Sequence, residues 1–284
     1  MTPMSFNVNG VRARPHQLQA LAAAYHPDIL GLQETKVEDA SAPGHLAADL
    51  GYRADWFGQK SHYGVALWSR HPVRSITTGF PWDAPDAQRR VITGVYDIGQ
   101  DQLPLTVINA YFPQGETRSH PVKFPAKARF YADMARYLID HCDPSQPLLL
   151  MGDMNVAPGD ADIGIGDDNA RRWLRSGKCS FLPEEREWLA RLSHWGLFDL
   201  FRLTEPKAPA ASWFDYRSRG FEQDPRHGLR IDLLLGTQPL RHNLMASGIA
   251  LDIRDMERPS DHCPVWAQFT PESGIWPLRP GVSL

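Results

Sequence analysis

The chain has 284 residues, a mass of 32.0 kDa, a hydrophobic fraction of 42% and a charged fraction of 22%. These values are typical of a globular protein with a sizeable core. Its net charge of −3 excludes nucleic-acid binding through bulk positive charge, but it leaves room for a local basic groove. Three scattered cysteines (Cys142, Cys179 and Cys263) predict neither a disulfide framework nor a zinc site.

Short apolar runs alternate with amphipathic stretches, which predicts a mixed α/β protein. The predicted strands, in chain order, are Met4–Val8, Ile29–Gln33, Gly64–Ser69, Val91–Tyr96, Leu105–Ala110, Leu148–Met151, Ile231–Leu235 and Val265–Phe269. The predicted helices are Pro15–Tyr25, Ala126–His141, Asp168–Ser176 and Pro183–Leu192. Without a long linker, we expect a single domain over residues 1–269 and a C-terminal tail over residues 270–284. With no signal peptide and no apolar run near the roughly 18 residues of a membrane span, we expect a soluble, cytoplasmic protein.

Polar side chains recur at the ends of the predicted strands. They are Asn7, Asn9, Glu34, Tyr111, Asp153, Asn155, Asp232, Asp261 and His262. Each alone has an ordinary alternative: Asn9 next to Gly10 is typical of a turn, Tyr111 of a strand aromatic, and His262 of a cap or core histidine. Together, carboxylates at successive strand ends would repel one another unless a cation or a substrate organised them.

The residue types indicate a hard metal ion. Asp153 and Asn155 are two residues apart, so on an extended segment they face the same way. Carboxylate and amide oxygens without clustered thiols suit Mg²⁺ or Mn²⁺ rather than zinc. Asp261 and His262 are adjacent and serve one site only if the chain bends there. Asp232 lies among apolar residues, where a carboxylate is costly unless it is paired.

Eight segments carry a resemblance to a known family. In chain order they are SFNVNGVRARP, ILGLQETK, HYGVAL, NAYFPQGE, MGDMN, SWFDYRS, LRIDLLL and SDHCPVW. They closely resemble the exonuclease III family of bacterial abasic-site endonucleases and 3′-end-processing enzymes, within the endonuclease/exonuclease/phosphatase superfamily. GDMN and SDH indicate only the superfamily, whereas SWFDYRS with LRIDLLL narrows the resemblance to its DNA-repair branch. The resemblance implies a deoxyribonuclease-I-like α/β fold, a four-layered α/β/β/α sandwich of two packed mixed sheets with the site at one rim.

The resemblance also implies roles for the strand-end residues. The implied metal set, with Glu34 as principal ligand, is Asn7, Glu34, Asp153, Asn155, Asp261 and His262. The implied catalytic set is Tyr111, Asp153, Asn155, Asp232 and His262. Within it, Asp232 orients His262 and keeps it charged beside the phosphate, and Asp153 activates the water or protonates the leaving group. Asn155 donates to the transition-state oxygen, and Tyr111 donates to the phosphate or stabilises the leaving group. The metal is expected to be Mg²⁺, with Mn²⁺ able to substitute.

DNA contact is expected from loops near the same rim. The basic candidates are Arg12, Arg14, Lys36, Lys60, Arg89, Arg90, Lys123, Lys127, Arg217 and Arg219, about half of which we expect to touch DNA. By resemblance, Asn9 and Gln114 also face DNA, and an apolar pocket for a flipped, base-less deoxyribose is formed by Trp213, Phe214, Leu229 and Ile231. Adjacent aromatics such as Trp213 and Phe214 are, taken alone, more typical of a core.

The implied function is a monomeric, metal-dependent DNA repair nuclease without a membrane partner. Its substrate would be double-stranded DNA with abasic sites, nicks or blocked 3′ ends, incised 5′ to the abasic site or processed by 3′–5′ exonuclease and 3′-phosphatase or phosphodiesterase action. Two alternatives stay open: a phosphoesterase of the same superfamily that acts on inositol phosphates or lipids, and a catalytically weak DNA-binding relative.

Overall fold

A computed structural model describes residues 1–99 and 102–270. Within this part of the chain the strands form two mixed six-stranded sheets. Sheet A contains β1 (Pro3–Asn7), β2 (Ile29–Gln33), β3 (Arg53–Phe57), β4 (Val65–Ser69), β11 (Leu244–Ile249) and β12 (Val265–Phe269), in the order β11-β12-β1-β2-β4-β3. Sheet B contains β5 (Val73–Thr78), β6 (Val91–Tyr96), β7 (Leu105–Tyr111), β8 (Leu148–Asp153), β9 (Phe198–Asp199) and β10 (Asp232–Gly236), in the order β5-β6-β7-β8-β10-β9.

The helices lie between these strands in the chain. They are α1 (Pro15–Tyr25), α2 (Gly44–Asp49), α3 (Lys123–His141), α4 (Asp167–Ser176), α5 (Pro183–Trp195), α6 (Leu200–Thr204), α7 (Gln238–His242) and α8 (Leu251–Arg254). Proline opens both α1 and α5, where its fixed φ suits the first turn and its missing N–H costs nothing. None of the helices found in residues 1–99 and 102–270 is long and apolar enough to span a membrane.

Three apolar clusters separate four layers. One joins Phe6 and Trp68 of sheet A to Leu18 of α1. A second lies between the sheets and contains Leu67, Val107 and Val265. A third joins the outer face of sheet B to α3 and α5 through Tyr131, Leu138, Leu189 and Leu192. The order is therefore helices, sheet A, sheet B, helices, and the expected α/β/β/α sandwich is confirmed.

A buried polar contact joins the two sheets behind the rim. Asn109 of β7 donates from Nδ2 to the carbonyl oxygens of Leu32 and Ala66 in sheet A, at 2.9 Å each. Its Oδ1 accepts a hydrogen bond from Nε2 of Gln33 at 2.6 Å. Because these groups are buried and need their partners, the contact sets the position of sheet A relative to sheet B next to Glu34.

All eight predicted strands are present, with small shifts at their ends, and α3 begins three residues before the predicted start. The four strands that the sequence did not predict, β3, β5, β9 and β11, are the four edge strands of the two sheets. Edge strands lack the continuous apolar run because much of their surface faces water, as the burial of β5 and β11 shows. The predicted C-terminal tail lies outside the described residues, except for Thr270.

Candidate active site

Strand pairing brings distant residues to one rim. In sheet B, β8 runs parallel to β7 and antiparallel to β10, so that Asp153 lies opposite both Tyr111 and Asp232. In sheet A, the parallel pairing of β1 and β2 places Asn7 opposite Gln33, and Glu34 follows directly. Because the sheets pack face to face, the carboxyl ends of β1, β2, β7 and β8 meet there.

The backbone of the rim adopts an uncommon conformation. Asn9, Glu34, Lys36 and Asn155 have φ values of 45°, 52°, 56° and 53°, in the left-handed region. Asparagine tolerates this region, whereas glutamate and lysine rarely enter it. Such conformations persist where the surrounding structure determines them, and they cluster at functional sites.

His262 is held by a buried carboxylate. Its Nδ1 lies 3.0 and 2.9 Å from Oδ1 and Oδ2 of Asp232. Ser212 fixes Asp232 in turn, donating from Oγ to Oδ2 at 2.6 Å. Burial lowers the pKa of His262, but the carboxylates of Asp232 and Asp153 outweigh it and raise the pKa to about 10. His262 is therefore protonated at neutral pH.

Asp153 and Glu34 face each other across Asn7. Nδ2 of Asn7 donates to Oε1 of Glu34 at 2.9 Å and to Oδ2 of Asp153 at 3.0 Å. Burial raises the pKa of Asp153 to about 7, against the opposing charge of His262. Burial alone would also raise the pKa of Glu34, but Lys36, 2.9 Å from Oε2, and Asn7 hold it below its ordinary value. Glu34 thus stays a carboxylate, whereas Asp153 can exchange a proton near neutral pH.

The donor set fits a divalent cation. Ligand atoms of Glu34, Asp153 and His262 lie within 4.8 Å of one another. The carboxylates of Glu34 and Asp153 supply the oxygen ligands that a hard cation prefers, and His262 is the third member of this group. Three residues of the predicted metal set, Glu34, Asp153 and His262, thus lie together at one position of the rim. Asn7 turns its NH₂ group toward the carboxylates, and its Oδ1 accepts a hydrogen bond from the backbone N–H of Asn9.

Asp261 lies in the wall of the site rather than at the cation position. Its Oδ1 accepts a hydrogen bond from Nδ2 of Asn9 at 2.9 Å, and its Oδ2 accepts one from Nε1 of Trp213 at 3.0 Å. The chain bends at Asp261, which allows its side chain and that of His262 to point into one cavity. Each oxygen of Asp261 accepts one hydrogen bond, so in this structure Asp261 holds Asn9 and Trp213 in the wall of the cavity.

A cavity of about 330 Å³ opens above these groups. The predicted residues that line it are Glu34, Tyr111, Gln114, Asp153, Asn155, Trp213, Arg217, Ile231, Asp261 and His262. Trp173, Lys178, Ser180 and Asp215 also line it, and sequence reasoning missed them. Asp215 lies inside SWFDYRS, a segment that carries the resemblance, so a closer reading of that motif would have found it.

The hydroxyl group of Tyr111 stays protonated and can therefore act as a hydrogen-bond donor. Burial, with the nearby charges of Glu34 and Asp153, raises its pKa well above the ordinary value for tyrosine. The guanidinium of Arg90 lies 4.7 Å from the Tyr111 ring centre and donates to the Tyr111 carbonyl at 3.0 Å. Arg90 is only 7% exposed. It packs against Tyr111, and the prediction that it faces DNA is therefore wrong.

Three further residues predicted at the DNA face are buried. Leu229 is fully buried behind Ile231, so it backs the apolar wall without lining the cavity. Phe214, 1% exposed, packs with Phe221 and Cys263 in a different cluster. Lys127 is fully buried and paired with Glu185. These side chains cannot reach DNA in this conformation, since their charge or apolar surface is already covered by protein.

The remaining predicted DNA contacts lie at or near the surface. Gln114 and Arg217 are exposed at the cavity wall. Lys36 is shared between Glu34 and Asn9, and Arg89 pairs with Asp39. The others are exposed or half-buried on surrounding loops: Arg12, Arg14, Lys60, Lys123 and Arg219.

Two packed mixed sheets with an acidic, histidine-containing rim define the class to which this chain belongs. A sequence profile of the endonuclease/exonuclease/phosphatase family matches residues 4–262, and the chain is a member of that family. The exodeoxyribonuclease III of Haemophilus influenzae is 55% identical over 267 residues, which cover 94% of this chain and 98% of that protein. The predicted resemblance to the exonuclease III family is thereby confirmed.

Solved structures agree with this assignment. The Neisseria 3′ phosphatase NExo, bound to a product DNA hairpin, is 35% identical with a TM-score of 0.86 and covers 95% of this chain and 99% of its own. An AP endonuclease from Archaeoglobus fulgidus is 29% identical with a TM-score of 0.86 and the same coverage. The similarity thus extends over nearly the whole fold.

Proposed function

We propose that this protein is a divalent-metal-dependent DNA repair nuclease. It would incise duplex DNA 5′ to abasic sites and process nicked or blocked 3′ ends by 3′–5′ exonuclease and 3′-phosphatase or phosphodiesterase action. The observation that carries the proposal is the convergence of Glu34, Asp153 and the His262–Asp232 pair beneath one open cavity. The relatives named exodeoxyribonuclease III, 3′ phosphatase and AP endonuclease support the choice of DNA as substrate.

The proposed cofactor is Mg²⁺, with Mn²⁺ able to substitute, held by Glu34 and Asp153. A bound divalent cation supplies Lewis-acid stabilisation of the charge that develops on the phosphate oxygens, worth several kcal/mol. The side-chain amide of Asn7 and the backbone N–H of Asn155 each donate a hydrogen bond to the carboxylate of Asp153.

Four side chains of the rim supply the proton transfer and the hydrogen bonds to the phosphate. Asp153, with a pKa of about 7, takes the proton of the attacking water or returns one to the departing 3′ oxygen. Protonated His262, oriented by Asp232, donates to a phosphate oxygen. Tyr111 keeps its proton and acts as a second donor. Asn155 has one amide hydrogen bound by the carbonyl of Phe112 at 2.9 Å, which leaves the other for a transition-state oxygen.

Selectivity for abasic DNA is proposed to come from the apolar wall beside His262. Trp213 and Ile231 line the cavity, and the backbone of Trp213 pairs with those of His262 and Leu229. A deoxyribose without its base can leave the stack at low cost and fit against this wall, whereas an intact nucleotide is larger and must unstack first. The wall therefore selects by shape and does not read a base.

DNA would be bound by local positive charge, since the net charge of the whole chain is −3. Lys178 and Arg217 line the cavity together with the amide of Gln114. The residues that line the cavity all belong to this chain, and we propose that the protein is a monomer. We propose that the monomer acts on DNA in the cytoplasm.

The test uses a labelled duplex that contains a tetrahydrofuran abasic analogue, assayed with Mg²⁺ and with EDTA. Substrates with a recessed 3′ end or a 3′-phosphate are run in parallel, together with an inositol phosphate and a phospholipid. We expect Mg²⁺-dependent incision at the analogue and loss of turnover in Glu34→Ala. Glu38→Ala, which removes an exposed carboxylate four residues along the chain, should behave like the wild type.

Two outcomes would reject the proposal. Hydrolysis of the lipid or the inositol phosphate without DNA incision would assign the chain to another phosphoesterase branch. DNA binding with a turnover that Glu34→Ala leaves unchanged would favour a DNA-binding relative without metal-dependent catalysis at this rim.

A further inference from the structure

A buried ion pair lies directly behind the cavity wall. Nζ of Lys127, on α3, is 2.5 Å from Oε1 of Glu185, on α5, and both side chains are fully buried. The other oxygen of Glu185, Oε2, accepts the backbone N–H groups of Ser180 and Leu182 at 2.8 Å each. The carboxylate thus fixes the turn that leads into α5, and Ser180 of this turn lines the cavity.

The lysine binds two other segments of the site. Nζ of Lys127 donates to the carbonyl oxygen of Asn155 at 2.8 Å and to that of Gln114 at 3.3 Å. With Glu185, these contacts use all three hydrogens of the ammonium group. Asn155 follows β8 and Gln114 follows β7, so a single side chain ties together the ends of two neighbouring strands and the turn before α5. Packing there is close, because a Cβ at Gly115 would lie 2.9 Å from Cδ of Lys127.

The tied segments have backbone conformations that need support. Asn155, Gly115 and Ser180 have φ values of 53°, 86° and 115°, all in the left-handed region. Stability alone does not explain a buried ion pair, since apolar groups of equal volume often serve as well or better. An apolar group cannot, however, donate to two carbonyl oxygens at once.

We infer that Lys127 and Glu185 form a positioning pair, which holds Asn155, Gln114 and Ser180 where they line the cavity. The pair acts through these residues and does not itself contact the substrate. The inference rests on the proposed function, in which the Asn155 amide donates to the reacting phosphate.

The test variant is the double substitution Lys127→Met with Glu185→Gln. It removes both charges together, so that neither is left unpaired, and the glutamine carbonyl can still accept from Ser180 and Leu182. The control is Leu138→Ala, which creates a cavity in the apolar core near the other end of α3. In EDTA, hydrogen–deuterium exchange of the peptides covering residues 112–118, 153–158 and 178–182 should be at least tenfold faster in the double variant than in the control.

Kinetics provide the second readout. On the tetrahydrofuran duplex, the double variant should have a kcat at least tenfold below that of the wild type, since small misplacements of reacting groups can cost on the order of 100-fold. The control should lose less than threefold. In an Asn155→Ala background, the double variant should lower kcat by less than a further threefold, because Asn155 is the one residue of the three that is proposed to donate to the reacting phosphate.

Unchanged exchange in the three peptides, an unchanged kcat, or a full additional loss in the Asn155→Ala background would each overturn the inference. If the wild type fails to incise the duplex, the proposed function fails. The exchange experiment still shows in that case whether the pair holds these segments.

Discussion

Replacing Asp232 by asparagine tests the origin of the charge on His262. The substitution keeps the size of the side chain and removes the carboxylate that both orients the imidazole and holds its proton. Burial then opposes protonation with less compensation, so the pKa of His262 should fall into or below the range of an ordinary histidine. His262 would lose its proton at neutral pH, and turnover would fall with it.

The structure sets the size of this effect. The difference between the ordinary histidine pKa of 6.5 and the value of about 10 corresponds to roughly 5 kcal/mol in favour of the protonated ring. Because the pKa is raised in the folded state, this stabilisation is complete below about pH 6.5 and is lost as the pH rises toward 10. The free energy of unfolding should therefore fall more steeply over this range in the wild type than in Asp232→Asn.

The assay is a histidine NMR titration in EDTA, paired with urea unfolding at pH 6.5 and pH 9.5. Asp261→Asn is the matched control, because it removes a carboxylate from the same cavity that makes no hydrogen bond to the imidazole and raises the pKa of His262 less than Asp232 does. In the wild type and the control, the His262 resonance should stay protonated through pH 8. A wild-type midpoint near pH 6.5, or equal pH dependence of unfolding in wild type and Asp232→Asn, would refute the reasoning.

Four further variants test the assigned roles. Asp153→Asn and His262→Asn should each lower turnover on the tetrahydrofuran duplex by orders of magnitude while thermal unfolding stays cooperative, and a loss below tenfold would mean that the residue is misassigned. Trp213→Ala should impair abasic incision more than 3′-phosphate removal, because the apolar wall receives the base-less sugar; equal losses would count against the wall. Arg217→Gln should weaken duplex binding and reduce the log–log salt slope by about 0.9 if it neutralises one phosphate. An unchanged slope would remove Arg217 from the DNA-contact set.

Most of the central strands could be predicted from sequence because they are buried on both faces and appear as largely apolar runs. The edge strands β3, β5, β9 and β11 could not, since exposure of one face weakens that pattern. The convergence of Tyr111, Asp153 and Asp232 depends on strand register, which no single segment encodes. Their place at strand ends predicted that they share a site, and the resemblance to a family assigned their roles.

The sequence did not allow us to predict which charged side chains are buried. Arg90 and Lys127 have the appearance of surface cations, yet one lies beneath the ring of Tyr111 and the other is paired with Glu185 inside the fold. Asp261 is half-buried, and its two partners, Asn9 and Trp213, also come from distant parts of the chain. Partners that depend on tertiary packing decide whether such a side chain supports the site or faces the substrate.

The most direct test of the account is to locate the cation itself. Crystals of the protein soaked in Mn²⁺ should show an anomalous scattering peak in contact with the Glu34 carboxylate, inside the cavity that Asp153 and His262 line. Crystals of Glu34→Gln should lose that peak. A nuclease-active protein whose crystals bind Mn²⁺ only away from this rim would contradict the account.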